Sequence, residues 1–138
     1  MLPLTVRTIR LTLHVLAVTV WVGGQITLLG LLPVIRAAGG DLPKSFARQF
    51  NRIAWPAFGV AVLTGVWNIM AVDLANTPPG YQVTLFVKLL LVAASGIGAF
   101  LHSQATTPAA RGIWGAVGLF TAIAAVLLGV QLGGVGGA

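Results

Sequence analysis

Residues 11–35 read LTLHVLAVTVWVGGQITLLGLLPVI, a run without formal charge at neutral pH that is closed by Arg10 and Arg36. A bilayer core of about 30 Å takes roughly 20 apolar residues of helix, so this run is long enough to cross. It is about twice the usual length of a signal-peptide core and lacks a clear small-residue cleavage site, so it is expected to be a retained span. Working outward, three further runs follow: 53–72 between Arg52 and Asp73, about 83–101 with a single charge at Lys88, and 112–132 without charge. The expected fold is therefore all-α, an integral membrane four-helix transmembrane bundle formed by the whole chain, residues 1–138.

Composition agrees. Only 7% of the 138 residues are charged and 57% are hydrophobic, whereas a soluble domain carries about 25% charge. Pro33 weakens the end of the first span, and Gly133, Gly134, Gly136 and Gly137 are poor helix formers, so the last span is expected to end near Gln131 or soon after. Between spans one and two, Lys44, Arg48 and Arg52 recur every four residues, and Phe46, Phe50 and Ile53 form a second stripe. This pattern predicts a short interfacial helix leading into span two.

The net charge of +6 is spread over helix ends with no soluble domain to present it, which argues for the lipid bilayer and against nucleic acid as partner. Arg36, Lys44, Arg48, Arg52 and Arg111 fall in the loops of one side, and Arg7 and Arg10 on the other. Basic loops stay cytoplasmic, which predicts both termini outside. Zero cysteines exclude disulfides and thiolate metal sites. The two acids, Asp41 and Asp73, fall in loops on opposite sides, which removes paired-carboxylate and Ser-His-Asp hydrolysis.

Ionisable residues inside a membrane usually face the protein interior and mark a pathway, a cofactor or a relay. His14, Asn68 and Lys88 each stand roughly 6 to 9 Å along the helix from the outer end of their span, so one polar layer is expected, with Met70 and Gln131 at about the same depth. His14, Trp21 and Gln25 form one stripe of span one, and Thr64 and Asn68 sit four apart on span two. Simple packing roles compete: His14 bonding a neighbouring helix, Lys88 snorkelling to headgroups, and Gly112, Gly115, Gly118, Gly129 and Gly133 serving close helix approach. Trp55 and Trp114 fit an interfacial aromatic belt. Depth opposes a haem held by both His14 and His102 within one protomer, since His102 is about 21 Å along the helix from the Lys88 level; His102 is read more simply as a residue of the inner interface.

The motifs LHVLAVTVWVGG (13–24), RQFNRIAWPAFGVAVLTGVWN (48–68) and FVKLLLVAASGIGAFLH (86–102) resemble the copper-resistance D (CopD) family over nearly the whole chain. That resemblance implies a plasma (inner) membrane protein of a bacterium that handles copper in uptake or homeostasis. Cu(I) accepts imidazole and thioether, so His14 and Met70 are the metal candidates, with Met1 as a third. A weaker resemblance to HemJ-type protoporphyrinogen oxidases rests on His14 and Lys88, although WVGGQ (21–25) departs from their corresponding run. It implies haem b on His14, with Lys88 at a propionate or near the porphyrin edge, and the one enzymatic alternative, a haem-dependent oxidoreductase; depth and helical stripe add Asn68, Trp21 and Gln25 to the expected cofactor site. A third reading is a structural or assembly subunit, as a homo-oligomer or docked on a larger membrane complex.

Overall fold

The computed structural model describes residues 3–135. Among these the chain is helical with short turns and no strand, and four helical segments are long and apolar enough to cross a membrane: Val6–Ala38, Leu42–Met70, Pro79–Gln104 and Pro108–Gly134. The all-α expectation holds. The chain divides into two compact units, residues 1–72 and 73–138, each a helical hairpin.

The first hairpin pairs a long interrupted helix with a continuous one. Helix α1 (Val6–Val18) starts where the Thr5 hydroxyl accepts the backbone N–H of Thr8 at 3.2 Å. It passes through one π-helical turn, Thr19–Gly23, into α2 (Gly24–Ala38). Pro33 lies inside α2 and the helix runs on past it. Gly39 and Gly40 then take φ of +69° and +59°, a conformation L side chains rarely adopt, and turn the chain back.

Helix α3 (Leu42–Met70) packs along α1, the π turn and α2. The basic stretch expected as a separate interfacial helix is the beginning of α3 itself. Its one early proline, Pro43, lies in the first turn, where a missing N–H costs nothing, and no breaker follows before Pro56.

In the second hairpin, a 3-10 turn at Leu74–Asn76 precedes α4 (Pro79–Gln104), and α5 (Pro108–Val135) returns antiparallel to it. Pro79 and Pro108 both sit at helix starts, and Thr107 caps α5 by accepting the N–H of Ala110 at 3.2 Å. The helix continues through Gly133 and Gly134 rather than ending near Gln131; Gly136 and Gly137 lie outside the described residues. The hairpin closes on backbone contact: a Cβ placed on Gly98 would come within 2.7 Å of the Gly118 nitrogen. Ser95, 1% exposed, donates its hydroxyl to the Gly118 carbonyl at 2.9 Å.

Of the glycines expected to serve packing, Gly115, Gly118 and Gly129 each have a neighbour within 4 Å of a built Cβ, while Gly112 and Gly133 open onto space. Trp55 also has a packing partner. It is half-buried against Trp21 and so takes part in helix packing.

Candidate functional site in the first hairpin

Two polar pairs one helical turn apart tie α1 to α3. The Arg10 Nε donates to Asn68 Oδ1 at 2.5 Å, and the His14 Nδ1 lies 2.9 Å from the Thr64 hydroxyl. Because α1 and α3 run antiparallel, residues four apart on one helix meet residues four apart on the other, each pair keeping its level.

The Thr64 hydroxyl settles the histidine tautomer. Its one hydrogen goes to its own helix, to the Val60 carbonyl at 2.6 Å with Ala61 at 3.2 Å. Towards His14 it can then only accept, so Nδ1 donates to it, and a neutral ring in this arrangement carries its lone pair on Nε2. Thr64 is 6% exposed, which holds this bond away from water. Gly65 makes room for the ring, since a Cβ there would stand 3.3 Å from His14 Cε1.

Deeper along the hairpin, Trp21 is 5% exposed and packs on Phe58 at a ring-centroid distance of 4.4 Å and on Trp55 at 5.4 Å. Trp55 meets Phe58 edge-on at 85°. This aromatic cluster forms an apolar floor beyond His14. It coincides with the π turn, a feature that recurs at functional sites. Two side chains feed carbonyls around that turn: Thr19 Oγ1 donates to Val15 O and Gln25 Nε2 to Trp21 O, both at 2.8 Å. Gln25 therefore braces the helix backbone.

The structure brings together His14, Asn68, Trp21 and Gln25 of the expected site as one track along this hairpin, with Arg10, Thr64 and Phe58 as further members. Met70 sits apart. It is six positions beyond Thr64, so it points roughly 120° away round α3 and lies about 9 Å further along it; it is 79% exposed. Met1 is outside the described residues. Among those described, no three His, Cys, Asp or Glu side chains cluster, so a metal here would draw on fewer.

Lys88 belongs to the second hairpin. There its ammonium lies over Gly129, with Nζ 3.1 Å from where a Cβ would stand. Gln131 is exposed on α5. His102 donates Nδ1–H to the Arg111 carbonyl at 2.7 Å, and Arg111 in turn donates to the Ala105 carbonyl, which latches the α4–α5 turn. His102 thus stands at the turn end of the second hairpin.

Sequence reasoning marks Arg10 only as a charge closing the first run, and does not mark Phe58. The signal for Arg10 is nevertheless present as two i, i+4 polar pairs, Arg10 with His14 and Thr64 with Asn68, on helices that must be antiparallel. Comparison with protein-family models, with curated proteins and with solved structures finds no match to this chain.

Proposed function

We propose that the chain is a membrane protein that handles copper through His14. The observation that carries this reading is the Thr64 bond at Nδ1, which fixes the ring and directs its donor lone pair to Nε2. Orientation of a ligating imidazole by a second-layer hydrogen bond is the usual arrangement at metal sites. Cu(I) accepts low coordination numbers with imidazole donors. A single fixed imidazole leaves coordination positions for a ligand that travels with the ion, which suits a site that passes copper on. On the register of α3, Met70 points away from His14, so this reading rests on the imidazole without it.

Haem b is the second reading, favoured by Arg10, one turn from His14, as a cation able to pair a propionate beside an axial nitrogen. The donor set fits that group, which would supply one-electron redox chemistry, while Arg10 and His14 would bind and orient it.

The test is metal analysis and an optical spectrum on one sample purified in mild detergent. Copper without a Soret band, lost in His14→Ala and retained in Met70→Leu, is the expected result. A Soret band abolished by His14→Ala moves haem to first place. If neither ligand is present or can be restored, a structural or assembly role takes over. For orientation in the bacterial inner membrane we propose the basic end of the first hairpin, residues 36–52, inside and both termini outside, so a C-terminal reporter should be active only on the outer side.

A further inference from the structure

Arg10 and His14 stand four residues apart on α1, so their side chains share one face, about 6 Å apart along the axis. Both are half-buried, and each is tied to α3 by one edge: His14 through Nδ1 to Thr64, Arg10 through Nε to Asn68. The chemistry left over at Arg10 is one-sided. Asn68 commits its side-chain oxygen to the guanidinium, so the terminal nitrogens of Arg10 and the amide nitrogen of Asn68 remain as donors. Among the described residues they have no partner. Arg7 adds a further positive charge one turn out on the same face.

No protein carboxylate answers these donors. Asp41 is the only acid in this unit and stands at the far end of the hairpin, and Asp73 accepts the Asn76 amide at 2.6 Å. Among the described residues neither acid makes an ion pair with Arg10. A bare copper ion on His14 would thus be a second cation one turn from the guanidinium, and away from bulk water like charges at that spacing repel strongly. An anion that arrives with the ion offsets this repulsion and gives the unused donors an acceptor.

We propose that the substrate is Cu(I) carried by a small carboxylate with a sulfur donor, an inference that rests on the copper reading of His14. The carboxylate seats on the terminal nitrogens of Arg10, in the two-point manner a guanidinium favours, with the Asn68 amide beside it. The sulfur stays on the copper while His14 takes up a coordination position, since Cu(I) accepts soft sulfur and imidazole together. A short carbon spacer between sulfur and carboxylate covers about one turn of helix, the separation of His14 and Arg10. Arg10 thereby selects which copper complexes the site accepts.

The full chain in mild detergent is titrated anaerobically with tetrakis(acetonitrile)copper(I), alone, with methylthiopropionate, and with the uncharged methylthiopropanol. The acid and the alcohol share one sulfur donor and differ in the carboxylate. Wild type is expected to bind copper about tenfold more tightly with the acid than with the alcohol. Arg10→Gln should lose that difference and hold copper alone at least as tightly as wild type, the opposite of what a packing role for Arg10 gives. Should Arg10→Gln fail to fold, Asn68→Asp serves instead: a carboxylate built in beside Arg10 should tighten binding of copper alone and abolish the preference. Arg111→Gln, in the other hairpin, should keep it. Copper binding that depends on His14 but shows no preference for the acid overturns this inference and leaves the copper reading standing. Absence of copper bound through His14 under every condition overturns both. Loss of the preference on adding phosphatidylglycerol to the micelles also overturns the inference, since Arg10 would then serve a lipid headgroup.

Discussion

The two hairpins solve the same problem, holding two apolar helices together where lipid is as apolar as they are, by opposite means. In α4–α5 the backbones themselves touch. Gly98 and Gly118 face each other so closely that a Cβ on Gly98 would lie within 2.7 Å of one backbone atom and 2.9 Å of another. In α1–α3 the glycines open onto side chains: Gly65 accepts the His14 ring and Gly24 the Phe50 ring. One hairpin is held by close approach, the other by a polar and aromatic track. A side chain can move aside and a backbone cannot, so the first hairpin tolerates change at Gly24 and Gly65 and the second does not at Gly98.

The largest effect should therefore come from the second hairpin. Gly98→Leu is expected to cost about 3 kcal/mol or to prevent folding, read as the midpoint of unfolding in a denaturing-detergent titration. If it is as stable as wild type, the close-approach half of the comparison fails. Next comes Thr64→Val, which leaves the His14 Nδ1–H without its acceptor. It should cost only about 1 kcal/mol of stability but lower copper retention by about tenfold or more, with Thr64→Ser restoring it. Equal loss in both variants would mean that Thr64 serves packing alone. The smallest effect is expected at Gly24→Ala, where the far edge of the Phe50 ring stands 2.9 Å from the new Cβ and can swing away. Less than about 1 kcal/mol should be lost; a loss matching that of Gly98→Leu would erase the distinction between the hairpins.

The spans are readable in the sequence because charge is so costly in hydrocarbon that an uncharged apolar run of about 20 residues rarely forms anything but a span. The continuity of α3 is not, because Lys44, Arg48 and Arg52 at four-residue spacing suit a helix lying on the membrane as well as one running into it. The charges describe an amphipathic helix and say nothing of the angle at which it meets the next. The π turn carries no side-chain signature, and Trp21 and Gln25, which one stripe marks as lining residues, are tied instead to an aromatic cluster and a backbone carbonyl. His14 and Asn68 stand out because buried polar groups need partners. Their partners Thr64 and Arg10 are in view, but pairing them needs the antiparallel register, which periodicity on either helix alone does not supply. Depth alone matches Met70 to His14, and depth ignores the direction in which a helix points its side chains.

The wide turn at Thr19–Gly23 makes chain length, and not only residue identity, part of what specifies the first hairpin. A π turn holds one residue more than the regular helix around it. Deleting a single position there can be taken up by a regular helical turn, which leaves everything after it in nearly the same orientation. His14 would still meet Thr64 and Gly24 would stay beneath Phe50, whereas a second deletion has nothing to draw on and would turn everything after it by about 100°. The first hairpin should thus tolerate one deletion in this short window and fail at two, a difference that unfolding midpoints of the two variants would show.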